Sequence, residues 1–267
     1  MKKLLFILLF PLLVLPQEKY SKNSHVEISV QNKRSKYKIE YIFKDHFERT
    51  LSISLVFKRD ELDNAIAKFG IPSSMFDTYS KTKEVLLKRE QILSDGLYKK
   101  EGKKLVIDRN TVVSYYRPYF KHLAKDLIKL LKRNKEDTRL NRIEVAMKFV
   151  QDIPYGIPDE SYGEKYDDGC FAPPEVLVEG YGDCDSKTYL FICILSHMIN
   201  PNDIIFIHGD NHLLSAVRSN KVSAGKYFTY KEKKYYLCET AGPGRPKFGK
   251  KNSSLGHCTL YPLNIKL

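Results

Sequence analysis

The sequence predicts an α+β fold in which a buried helix packs on an antiparallel sheet, preceded by a β-rich region. Three observations carry this. Residues 189–199 are apolar nearly all round, as a helix buried on every side must be. Downstream, short apolar runs are broken by Gly, Asp and Asn, the pattern of core strands joined by tight turns. Upstream, three runs between residues 25 and 57 alternate apolar with polar, as half-buried strands do.

Length and composition agree with this. A chain of 267 residues with 42% hydrophobic and 29% charged residues has enough apolar surface for a sizeable core, which excludes a wholly disordered chain. Three regions follow: residues 1–17, a signal peptide or N-terminal anchor; residues 18–110, the β-rich region; and residues 111–267, where the chemistry-bearing residues lie. Met1-Lys2-Lys3 and the apolar run 4–15, interrupted by Pro11, fit a secretory signal that is short for a membrane span. No Ala-x-Ala-like site stands around Pro16, Gln17 and Glu18, and no Cys follows the run to accept a lipid. Export is expected, to the periplasm, the membrane surface or the medium.

Taken in order, residues 25–30, 37–42 and 51–56 read as an antiparallel meander. Residues 60–69 have helical spacing and stop at Gly70, before Pro72; residues 105–107 return as a strand. A helix over 112–131 places Tyr115, Phe120, Leu123, Leu127, Leu130 and Leu131 on its buried side and leaves Lys121, Lys125 and Lys129 in water. A second, over 140–150, buries Ile143, Ala146, Met147 and Val150 and ends at Pro154. The Gly-, Asp-, Tyr- and Pro-rich stretch 156–174 reads as a loop lining a cleft. The apolar helix ends at Asn200-Pro201, and strands at 204–207 and 213–217 flank the turn His208-Gly209-Asp210-Asn211.

The chemistry centres on Cys184, in Gly182-Asp183-Cys184-Asp185-Ser186-Lys187-Thr188 at the head of that helix. A thiol there meets unpaired N–H groups and the positive end of the helix dipole, which favour the thiolate and make Cys184 a candidate nucleophile. His212 and Glu239 follow on strand-like segments. Alternation groups His212 with Leu214 and Ala216, and Glu239 with Tyr235 and Leu237, so antiparallel pairing sets both polar side chains on one face, expected to meet Cys184. His212 would move the proton and Glu239 would orient the imidazole. Asp183 and Asp185 are expected to act as cap and dipole partner. The N–H of Cys184 is the natural first oxyanion donor, with Tyr155 or Tyr181 as the second.

The order and contexts of these residues resemble the bacterial members of the transglutaminase-like superfamily, which carry a Gly-Asp-Cys-Asp/Glu element at the head of the central helix. Phe149-Val150-Gln151-Asp152-Ile153-Pro154-Tyr155, Pro174-Glu175-Val176-Leu177 and Tyr236-Leu237-Cys238-Glu239-Thr240, with Phe248-Gly249 after it, are similar to the family's elements in the family's order. The resemblance covers residues 111–267. It implies a papain-like core and a cysteine hydrolase acting on peptide or amide bonds of a peptide or protein substrate through Cys184, His212 and Glu239, without a cofactor. Eukaryotic transglutaminases carry Trp beside the nucleophile; this chain has no Trp, which counts against protein cross-linking. Acyl transfer to an amine, or an inactive module binding peptides or cell surfaces, are the alternatives.

His208 and His212 stand four apart, but Gly209-Asp210-Asn211 breaks helicity between them and no closely spaced cysteine pair completes a tetrahedral set, so no metal is expected. Cys170, Cys193, Cys238 and Cys258 either form two disulfides in an oxidising compartment or are small buried residues. The formal net charge of +13 is spread along the chain without a nucleic-acid-binding motif, so no nucleic acid is expected; an anionic cell-envelope surface is the partner it would attract.

Overall fold

The structure is a computed structural model that describes residues 20–72, 82–102, 104–159, 161–162, 165–166, 170–210, 212–220, 225–250 and 255–265. The expected signal segment 1–17, Asn211 and parts of the stretch 156–174 lie outside the described residues. The chain is α+β with antiparallel sheets.

Strands β1 (Glu27–Lys33), β2 (Lys36–Lys44) and β3 (Thr50–Lys58) form the expected meander. Alternation along β2 turns Tyr37, Ile39, Tyr41 and Phe43 to one buried face. Next come α1 (Arg59–Ala67), β4 (Ile71–Pro72), α2 (Lys83–Asp95), and the hairpin β5 (Tyr98–Glu101) and β6 (Lys104–Ile107). The helix expected over 112–131 is two helices, α3 (Arg109–Tyr116) and α4 (Lys121–Arg133), joined by a 3-10 turn at Arg117–Phe120. Pro118 is the reason: it has no N–H to continue an α-helical ladder. Thr138 caps α5 (Arg139–Asp152) by accepting from the Asn141 N–H.

The short strands β7 (Ser161–Tyr162) and β8 (Lys165–Tyr166) pair with each other, and β8 pairs with β4. Then α6 (Pro173–Glu179) leads into α7 (Cys184–Leu195). Residues 189–199 were expected to continue as helix to Asn200; α7 ends earlier, with Ser196 as its C-cap. Five strands complete the fold: β9 (Ile204–Gly209), β10 (His212–Arg218), β11 (Tyr227–Tyr230), β12 (Lys233–Cys238) and β13 (Thr259–Pro262). Their order in the sheet is β11-β12-β10-β9-β13, with β10 central beneath α7.

Every residue of α7 from Ser186 to Leu195 is buried. Its neighbours are α3, α4, α5 and α6 as well as β10. Each buried Leu, Ile or Phe contributes about 2 kcal/mol relative to exposure, so the helix is fixed by packing and not by propensity. One apolar cluster joins Ile39, Tyr41 and Phe43 of the meander to Phe149 of α5 and Phe191 of α7. Tyr41 crosses Phe149 edge-on at 5.1 Å and donates its hydroxyl to the Phe149 carbonyl at 2.9 Å. Among the described residues, no helix is long and apolar enough to cross a membrane.

Candidate active site

Three chain segments build the site, and small residues let them meet. Gly180 ends α6 in the left-handed conformation, with φ 74°. Gly182 then runs beside Tyr155: its N–H donates to the Pro154 carbonyl at 3.2 Å, and the Gly156 N–H donates to the Gly182 carbonyl at 3.3 Å. A Cβ at Gly182 would stand 3.2 Å from that of Ser186, so a larger residue would crowd the first turn of α7. Asp183 takes its expected place as N-cap, accepting from the Ser186 N–H at 2.9 Å and from the Ser186 hydroxyl.

The sulfur of Cys184 is half-buried at the head of α7. It donates towards Asp185 Oδ1 at 3.3 Å, with Asp183 Oδ2 at 3.9 Å, and it accepts from the backbone N–H of Leu213, the residue after His212. Thr188, one turn on, donates its hydroxyl to the Leu213 carbonyl at 3.1 Å and so ties α7 to the start of β10. The expected lowering of the thiol pKa is overturned. Burial pushes it well up, and the Asp185 and Asp183 carboxylates push it further; the Leu213 N–H opposes them. Asp185, expected as a dipole partner, thus also holds the thiol proton.

His212 opens β10 and Glu239 stands one residue past the end of β12. The start of β10 and the end of its antiparallel neighbour β12 lie at the same end of the sheet, and Nε2 of His212 lies 2.9 Å from Oε2 of Glu239. The other carboxylate oxygen, Oε1, accepts from the Ala241 N–H at 3.1 Å, and the Gln151 amide donates to the Glu239 carbonyl at 2.7 Å. With Nε2–H given to Glu239, Nδ1 is the basic nitrogen of the ring.

The expectation that the shared face of this pair would meet α7 needs correction. Leu214, Ala216, Tyr235 and Leu237 belong to a second apolar cluster, whereas Leu213, Val217, Tyr236 and Cys238 join the core around α7. The meeting point is the end of the sheet and not its face. There β12 has ended, and the Leu213 N–H turns to sulfur.

Of the two tyrosines considered as donors, Tyr155 is the one at the site. Burial raises its phenol pKa first, and the charges of Cys184, Asp183, Asp185 and Glu239 raise it further. Tyr181 is buried between Tyr20, stacked at 5.6 Å, and Phe171, edge-on at 5.2 Å. His208 is paired across from Leu213 and His212 from Gly209, so the two imidazoles lie on opposite faces and cannot share a metal ion. The donor atoms of Asp183, Cys184 and Asp185 lie within 4.8 Å of one another, but Asp183 Oδ1 is already held by Ser186. Cys193 and Cys238 are free, fully buried thiols, so the four remaining cysteines do not make two disulfides.

Lys187 is a site residue that the pattern analysis missed. It is fully buried one turn below Cys184, and its Nζ donates to the Ile153 carbonyl at 2.6 Å and the Gln151 carbonyl at 3.3 Å. A lysine inside a helix that is otherwise so apolar was the available signal. Comparison with protein families, curated proteins and solved structures finds no match for the chain.

Proposed function

We propose that the chain is a cysteine hydrolase of peptide or amide bonds, with a transglutaminase-like, papain-like core. The observation that carries this is the His212–Glu239 pair, 2.9 Å apart, at the sheet end whose next residue, Leu213, donates to the Cys184 sulfur. Because the thiol is held protonated, His212 Nδ1 takes its proton as sulfur attacks the carbonyl carbon, and a C–S bond forms. The oxyanion is met by the Cys184 N–H, with the Tyr155 hydroxyl as second donor. The imidazolium, stabilised by Glu239, returns the proton to the departing amine, which leaves a thioester. Water, deprotonated by His212, then attacks the thioester and releases the acid and the thiol. In the same proposal the net charge of +13 draws the protein towards an anionic envelope surface, where it meets its substrate.

The test is turnover of a peptide and amide library, with and without an added amine. Cys184→Ala and His212→Ala abolish turnover while circular dichroism stays unchanged, and Glu239→Gln costs about 10²-fold by withdrawing the charge that stabilises the imidazolium. Full activity in Cys184→Ala refutes the reading. Adducts with the amine would make the protein an acyl transferase, and peptide binding without turnover would make it a binding module.

A further inference from the structure

The buried ammonium of Lys187 has two roles open to it. One is structural: the Gln151 and Ile153 carbonyls it binds lie at the C-terminal end of α5, where a cation is favoured. The second comes from the charges around it. Asp183 faces it from the cap of its own helix, Asp152 from the end of α5, and Glu239 from the end of β12. Gly242, on the loop after Glu239, leaves room for it: a Cβ there would stand 3.2 Å from Nζ. Asp152 has its own cations in Arg245 and, when protonated, His25, at 3.0 and 2.8 Å. Around the sulfur itself stand Asp183, Asp185 and Tyr155, and none of these three is a cation.

We propose that Lys187 is a positioning residue for the thiol site: its ammonium is the buried countercharge of Glu239, and through Glu239 it sets the pH at which Cys184 yields its proton to His212. The proposal rests on the hydrolase reading for its purpose, but its test does not need turnover. Burial lowers the Lys187 pKa to about 7 against the pull of Asp152, Glu239 and Asp183, so the charge is present at pH 6 and is lost on the alkaline side. A lysine kept only for packing would be served as well by an apolar residue of its size.

The experiment follows iodoacetamide alkylation of Cys184, mapped by mass spectrometry, against pH. Lys187→Met makes alkylation roughly tenfold slower at pH 6, the two profiles converge above about pH 7 where wild type has lost the ammonium charge, and this shift vanishes in a Glu239→Gln background. A folded Lys187→Met whose profile coincides with wild type leaves only the structural role and overturns the proposal. A shift that persists in the Glu239→Gln background also overturns it. Should Lys187→Met not fold, nitrogen-15 titration of the Lys187 ammonium in wild type and Glu239→Gln decides the matter, because coupling is reciprocal. Loss of the Glu239 charge lowers the ammonium's midpoint; an unmoved midpoint refutes the coupling. A protein that shows the shift but turns nothing over refutes the hydrolase reading alone.

Discussion

The Cys184 sulfur stands at the positive end of α7, yet 3.3 Å from the Asp185 carboxylate. A helix terminus is worth about 0.3–1 kcal/mol to a charge, whereas a carboxylate at this range is worth a few kcal/mol even at an effective dielectric constant of about 20. Repulsion and burial therefore win, and the thiol keeps its proton. Asp185→Asn removes one carboxylate and leaves a hydrogen-bonding group of the same shape. Alkylation of Cys184 at pH 7 is expected to rise about tenfold, read by mass spectrometry, with Cys258 as the internal reference. An unchanged rate would show that Asp185 does not hold the proton.

Two properties of Asp183 separate at the scale of the helix. Its oxygen caps α7, which needs only an acceptor; its charge is disfavoured, since burial raises the carboxyl pKa to about 6 although Ser186 opposes the shift. Between the ordinary value of 3.8 and about 6, the folded chain holds a proton that the unfolded chain has released, so this group's contribution to stability falls as pH rises through that window. Urea midpoints across it should show the decline in wild type and lose that component in Asp183→Asn, which keeps the cap. Asp183→Ala loses the cap as well and costs about 1 kcal/mol more. Equal pH dependence in wild type and Asp183→Asn would sink this account.

Across the whole molecule, the β-rich segment and the helices that carry the site share one apolar core. A polar node reinforces it at Asp152, which accepts from Asn23 at 3.1 Å, His25 at 2.8 Å and the Lys44 N–H at 2.9 Å. Arg245 approaches Asp152 at 3.0 Å, without hydrogen-bond alignment at Nε, and pairs with Glu48 at 3.0 Å. The loop after Glu239 is thereby fastened to the meander. Calorimetry should record a single cooperative transition for both regions, and Asp152→Ala should cost about 1–3 kcal/mol because it leaves the Asn23, His25 and Lys44 donors without their acceptor. Two separable transitions would refute a shared core.

The meander, α5, the buried helix with Cys184 at its head, and the strands bearing His212 and Glu239 were all legible in the sequence. Periodicity, Pro118 aside, and turn residues are local signals, and they mark where apolar side chains must be covered. Expectations drawn from local pattern alone failed where distant segments meet. Alternation assigned His212 and Glu239 to a face, but strand ends brought them to the end of the sheet. The helix dipole at Cys184 is a local property, whereas its burial and the angles at which Asp183 and Asp185 stand depend on how α6, α7 and β10 pack. Lys187 shows the same division: sequence placed a lysine one turn below the thiol, and only the closure of α5 and the Glu239 loop around α7 made it a buried ammonium among three carboxylates. Desolvation and charge–charge energies depend on distances through space, and these are set by tertiary packing and not by order along the chain.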